Sequence, residues 1–329
     1  MQRVLTPSLS VVVPVYRNEE SIEPLLAVLS SLTGQVNMPL EAVFVVDGSP
    51  DQSYQRLTAL LPAQPFPSQL ISLSRNFGAF AAIRSGLAAA NGSIIAVMAA
   101  DLQEPPELVL DFARALADGS HDLAFGVRQS RADPAISKLA SNTFWSLYRT
   151  LIMPDIPKGG VDIFALTSSF RDKLLSLNES NTSLLGQLFW LGGRRKFVSY
   201  ARRERAYGTS AWTLRKKLTY LSDSIFAFTD LPVRLLIAFG SIAMVLAVLL
   251  GMLILFARLS GLVDVPGYAG TMLAILFFGA FNSLGLGVIG TYAWRAFENT
   301  KARPLAVIQS HQIFRRDSHD PANSPERAV

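Results

Sequence analysis

LSVVVPVYRNEES, residues 9–21, opens with a run that is apolar except for Ser10, holds valine at four positions, and then turns abruptly polar. An apolar run without alternation is the pattern of a strand buried on both faces, as in the parallel sheets of α/β proteins. Working outward, the pattern recurs in EAVFVV (41–46), LISLS (70–74), SIIAVMA (93–99) and DLAFGV (122–127). Between these runs lie 19–32, 51–61, 78–91 and 106–117, each helical in pattern or composition. Strands alternating with helices predict a mostly parallel α/β sheet, which binds ligands beyond the carboxyl ends of its strands. Four of those ends are polar: Tyr16 to Glu20 after the first, VVDGSPD (45–51), SRNFG (74–78) and AADLQEPPE (99–107). Singly, Asp47-Gly48-Ser49 is a turn and Pro105-Pro106 a helix start. Four polar loops converging on one sheet edge are a more specific signal.

Charged residues make up 17% of the 329-residue chain, below the roughly 25% of an ordinary soluble domain, and half of the chain is apolar. The deficit has a location. Residues 235–257 and 268–294 contain no charge. Each is long enough, at about 1.5 Å per residue, for a hydrocarbon core of about 30 Å. Two such segments are too few for a polytopic transporter. The loop 259–267 has no Lys or Arg, whereas Arg234 precedes the first span and Arg295, Lys301 and Arg303 follow the second. The positive-inside tendency therefore puts both large ends on the cytoplasmic side, with Arg258 as a snorkelling exception. Gly285, Gly287 and Gly290 permit close helix contact, within the hairpin or with another subunit. The absence of cysteine excludes thiolate metal sites and cysteine nucleophiles. The formal charge is +5, and nine of the Lys and Arg residues fall within 194–217. By itself this cluster reads as a solvated basic face or a juxtamembrane positive-inside anchor, with no nucleic-acid partner expected.

The motifs SVVVPVYRNEES, VVDGSPD, LSRNFG and AADLQEPPE, in this order, resemble the polyisoprenyl-phosphate branch of family-2 glycosyltransferases. The resemblance continues through GGVDIFAL (159–166), RRERAYGTSAW (202–212) and the two apolar spans. It implies a GT-A fold, a nucleotide-sugar-binding α/β domain followed by interfacial helices and two transmembrane helices. It also implies inverting transfer of one sugar, from a UDP-sugar, onto undecaprenyl phosphate at the cytoplasmic face of a bacterial inner membrane. The corresponding boundaries are 1–213 for the glycosyltransferase domain, 214–232 for interfacial helices, 233–295 for the membrane hairpin and 296–329 for a partly disordered tail.

The resemblance also assigns roles to residues. Asp47 matches an acid that accepts hydrogen bonds from base or ribose. Pro14 and Tyr16 shape the base pocket, Glu19 lies near the ribose, and Arg75 and Asn76 flank the cleft. The departing diphosphate calls for a divalent cation, Mg²⁺ or Mn²⁺. Asp101 and Gln103, at alternating positions, are the expected ligands. The family motif has a further acid two residues before Asp101, where this chain has Ala99. This leaves a weaker metal site, a metal held by Asp101, Gln103 and donor phosphate, or a weakened enzyme; the second is preferred. Asp162 matches the catalytic acid. Because a phosphate monoester is largely dianionic at pH 7, its expected work is to orient the acceptor, take a residual proton or stabilise oxocarbenium character. Phe164 stands where the family often has an arginine. Arg202, Arg205 and Ser210 match a segment that closes over the diphosphate and lipid phosphate, with Gly208 as its bend. Three rivals stay open: a processive polysaccharide synthase, which needs more spans, a non-catalytic or impaired membrane-anchored binder of nucleotide-sugar or lipid, and a glycosyltransferase with another lipid acceptor.

Overall fold

The first strand, β1 (Leu9–Val15), sends Val11, Val13 and Val15 into one apolar layer and Val12 into the other. Both faces are buried, so the strand has no polar alternation. The computed structural model describes residues 8–128, 146, 148–150, 152–157, 160–161, 163–203, 214–260 and 267–315. In chain order, α1 (Ile22–Gln35), β2 (Leu40–Val46), α2 (Ser53–Leu60), β3 (Ser68–Leu73), α3 (Ala79–Ala89), β4 (Ile94–Val97), α4 (Glu107–Ala117) and β5 (Leu123–Arg128) follow β1. These elements match the strand and helix runs expected from sequence. Next come β6 (Phe164–Thr167), α5 (Ser168–Leu175), α6 (Leu184–Trp190), β7 (Arg195–Tyr200) and α7 (Leu214–Phe228). The described chain closes with α8 (Leu231–Leu259), α9 (Tyr268–Thr300) and β8 (Ile308–Phe314).

One sheet holds all eight strands, in the order β7-β5-β6-β4-β1-β2-β3-β8. The pairs β4-β1, β1-β2, β2-β3 and β5-β7 are parallel, and β4-β6, β5-β6 and β3-β8 are antiparallel. The sheet is therefore mostly parallel, as expected, with antiparallel insertions. Helices α1, α2 and α4 cover one face through Ile22, Leu25, Leu57 and Phe112. Helices α3, α5 and α6 cover the other through Ile83, Leu87, Phe170 and Leu188. α3 lies so close to the sheet that a Cβ on Gly86 would fall 2.3 Å from Val12 Cγ1.

Helices α8 and α9, of 29 and 33 residues, are long and apolar enough to cross a membrane. Their large side chains, Leu246, Leu253, Ile275 and Phe277 among them, face outward without protein cover. The C-terminal end of α9 is fastened to the domain. Arg295 Nη2 donates to Asp223 at 2.7 Å, its Nη1 to Asn181 O at 3.1 Å, and Asn299 Oδ1 accepts from Ser180 N–H at 3.0 Å.

Helix α7 falls in the 214–232 segment and packs on the domain. Leu221 and Ile225 pack with Tyr220 and Phe228 against the domain core. Phe228 sits directly on α6, where a Cβ on Gly186 would come within 2.2 Å of its ring. Phe226 meets Tyr292 of α9 edge-on, with ring centroids 5.3 Å apart. An amphipathic helix buries its apolar face against whatever apolar surface is near, and here the domain supplies it.

Candidate active site

The loops after β1 and β2 are laced together by short side chains. Arg17 has φ +57 and donates its N–H to Ser49 Oγ at 2.8 Å. Asn18 N–H donates to Ser53 Oγ at 3.2 Å, and Gln52 N–H to Glu19 Oε2 at 2.9 Å. Asp51 is the hub. It accepts from the Ser49 and Ser53 hydroxyls at 2.6 and 2.9 Å and from Glu19 N–H at 3.1 Å. Burial works to raise its pKa, but these hydrogen bonds together hold it below the ordinary value. Sequence reasoning did not select Asp51, although an acid just ahead of a helix and two residues before a serine was a readable signal. Tyr16 and Pro14 are half-buried at this edge, and the Arg17 guanidinium lies 5.4 Å from the Tyr16 ring centre.

Asp47, at the end of β2, is buried. Its Oδ1 accepts from Phe77 N–H at 2.7 Å and its Oδ2 from Gly78 N–H at 2.9 Å. The carboxylate thus holds the loop after β3 against the end of β2. Burial pushes its pKa up, against the lowering effect of the two amides and of Arg75. Gly48, with φ +56, permits the closeness: a Cβ there would fall 2.3 Å from the Arg75 carbonyl carbon and 2.4 Å from Asn76 N. Arg75 and Asn76 are exposed on this loop, and the Arg75 guanidinium stacks 4.0 Å from the Phe77 ring centre.

The loop after β4 carries Asp101, half-buried, and Gln103, buried. Asp101 Oδ1 accepts from Gln103 N–H at 3.3 Å. β7 then delivers Arg202 to the same loop. Arg202 Nη2 donates to Gln103 Oε1 in a short contact, Arg202 Nε lies 3.8 Å from Glu104 Oε1, and Arg203 N–H donates to Gln103 O at 2.8 Å. The structure therefore brings together Gln103 and Arg202, 99 residues apart in sequence and expected at one site. It also places the guanidinium on the amide oxygen expected to face a cation. Glu104, buried beside Arg202, is a member of the cluster that sequence reasoning missed.

The described residues contain no group of three or more His, Cys, Asp or Glu side chains placed to hold a metal. The donor set they offer is the Asp101 carboxylate and, when not held by Arg202, the Gln103 amide oxygen. Such a set fits Mg²⁺, which commonly takes one or two carboxylates together with substrate phosphates and water. Asp162, Arg205, Gly208 and Ser210 lie outside the described residues, as does the tail from 316 onward.

Residues 10–176 match glycosyl transferase family 2. An uncharacterized glycosyltransferase of Synechocystis is 31% identical over 305 residues, which cover 92% of this chain and 95% of that one. A prophage bactoprenol glucosyl transferase homolog of Escherichia coli is 28% identical, covering 92% of this chain and 98% of its own length. Glucosyl-3-phosphoglycerate synthase of Mycobacterium tuberculosis, solved with Mg²⁺ and uridine diphosphate, is 20% identical with a TM-score of 0.47, over 66% of this chain and 79% of that one.

Proposed function

Because the chain belongs to glycosyl transferase family 2 and is a glycosyltransferase, we propose that it moves one sugar from a UDP-sugar to a polyisoprenyl phosphate, undecaprenyl phosphate, at the cytoplasmic face of a bacterial inner membrane. The observation that carries this reading is the seating of Arg202 on the Asp101–Glu104 loop, beyond the carboxyl end of β4, in a chain that also has two exposed apolar helices. The likeness to the bactoprenol glucosyl transferase homolog of Escherichia coli supports the lipid acceptor. The pairing of β8 with β3 supports an even number of crossings, because it holds residues before and after the apolar hairpin in one sheet.

In the proposed reaction a phosphate oxygen of the acceptor attacks the anomeric carbon of the sugar. The bond from that carbon to the donor diphosphate breaks, and UDP leaves with the electron pair, inverting the anomeric centre. Pro14, Tyr16, Glu19, Asp47, Arg75 and Asn76 form the nucleotide end of the site, with Asp47 acting through the 75–78 loop that it holds. Arg202, joined by Arg205 and Ser210, grips the diphosphate and lipid phosphate, a task suited to a planar guanidinium fork. As the diphosphate draws Arg202 onto its oxygens, the Gln103 amide oxygen is released. Asp101 and Gln103 would then hold a Mg²⁺ or Mn²⁺ ion, whose charge offsets that developing on the leaving group. Asp162 orients the acceptor phosphate.

The test is the purified full-length protein in lipid nanodiscs, supplied with radiolabelled UDP-sugars, undecaprenyl phosphate and Mg²⁺ or Mn²⁺. Labelled lipid carrying a single sugar is expected. No labelled lipid with any donor, under conditions where the Escherichia coli relative works, would favour the non-catalytic binder, and polymeric product would favour the processive reading.

A further inference from the structure

The chain leaving α9 comes back to the domain. β8 lies antiparallel on β3, from the pair Ser68–Phe314 to the pair Leu73–Ile308. Ser74 N–H then donates to Val307 O at 2.9 Å, so pairing runs one residue past β3, into the loop that holds Arg75, Asn76, Phe77 and Gly78. The register shifts between Ser72 and Leu73, an irregularity of the kind that re-aims a strand end. Side chains fix the pairing from both faces. The Tyr54 hydroxyl of α2 lies 3.0 Å from Ser310 Oγ and accepts from Gln312 Nε2 at 3.2 Å. On the other face His311 Nε2 lies 2.8 Å from Oε1 of the buried Gln69, whose Nε2 donates to Ala89 O at 2.9 Å.

We propose that β8 is a positioning element for the donor loop. By holding the end of β3 and Ser74 from outside, it fixes the 75–78 backbone against Gly48 and Asp47, and so ties donor affinity to the membrane hairpin from which it returns. This inference rests on the donor-site reading above. Without β8, β3 becomes an open sheet edge and the Ser74 amide loses its partner, so the loop keeps its contacts with Asp47 and Gly48 but loses its hold from the outer side. α9 is itself clamped to the domain through Arg295 and Asn299, so the seven-residue strand is presented to β3 at high effective concentration.

The test compares three full-length or near full-length proteins in nanodiscs. Tyr54→Phe removes the hydroxyl contacts of Ser310 and Gln312 while keeping the ring. A chain stopped after Pro304 lacks β8 and can be supplied with a peptide of residues 305–316. UDP affinity is read by calorimetry, and amide exchange is read at Phe77 and Gly78. The stopped chain should bind UDP at least tenfold more weakly and exchange those amides at least tenfold faster, with α4 unchanged. The peptide should restore both, and Tyr54→Phe should lose two- to fivefold in affinity. Unchanged affinity and exchange in both variants overturns the proposal. So does a loss in the stopped chain that extends equally to α4 while Tyr54→Phe matches wild type, because β8 would then contribute only general stability. If wild-type protein fails to bind UDP, the donor-site reading falls, and loop exchange alone still decides the role of β8.

Discussion

Gly48→Ala tests whether the donor loop is held by backbone closeness. The added methyl would lie 2.3 Å from the Arg75 carbonyl carbon, 2.4 Å from Asn76 N and 2.7 Å from Arg75 Cα. Ordinary carbon contacts begin near about 3.5 Å, so the loop must withdraw by about 1.2 Å. Carried along rigidly, the Phe77 and Gly78 amides would move from 2.7 and 2.9 Å to about 4 Å from the Asp47 oxygens, beyond hydrogen-bonding range. The left-handed backbone adds about 1–2 kcal/mol for a residue with a Cβ. Two hydrogen bonds to a charged group contribute about 1.5–3 kcal/mol each. The sum is an upper bound, because Arg75 and Asn76 are exposed and water replaces part of what is lost. The expected destabilisation is about 2–4 kcal/mol. Urea unfolding of the detergent-solubilised protein, amide exchange at Phe77 and Gly78, and UDP affinity are the assays. Gly34→Ala is the control: it lies inside α1 with nothing within 4 Å, and should stabilise by up to about 1 kcal/mol. The reasoning is refuted if Gly48→Ala unfolds with wild-type stability while Phe77 and Gly78 keep their protection.

Asp101→Asn should reduce turnover at least a hundredfold and blunt its response to added Mg²⁺; near-normal rates would remove Asp101 from the metal. Arg202→Ala should raise the donor KM and lower kcat/KM by at least tenfold, with Arg202→Lys recovering little because an ammonium lacks the fork. Asp122, gripped by Arg194 at 2.8–3.1 Å, has its pKa drawn down to about 2, first by the Arg194 side-chain hydrogen bonds. Its folded pKa lies below the unfolded value, so its stabilisation is present above about pH 4 and is lost as pH falls toward 2. The difference in thermal midpoint between wild type and Asp122→Asn should therefore shrink over that window. Gly186→Ala should push Phe228 off α6 and destabilise by about 1–3 kcal/mol, read by unfolding and by the fluorescence of neighbouring Trp190.

β1 to β5, the helices between them and both apolar spans were legible in the sequence because each depends on local periodicity. A strand buried on two faces must be apolar throughout, and an uncovered span must be uncharged. The polar strand ends were legible for the same reason, and their convergence follows from parallel pairing. Only the tertiary structure decided the rest. IQSHQIF is half polar and follows a long apolar helix; it becomes β8 because β3 offers an edge 242 positions earlier, as the His311–Gln69 contact marks. The resemblance to the family singled out Arg202, but its seat on Gln103 depends on β7 pairing with β5. The amphipathic pattern of α7 shows that one face must be covered, while the surface that covers it is set by how close Gly186 lets Phe228 come. Asp47 likewise looks ready for a ligand until the chain folds and the Phe77 and Gly78 amides reach it first. The sequence encodes which groups must be buried or paired along each short segment. Which partner meets each need depends on contacts tens to hundreds of residues apart, which only the folded chain brings together.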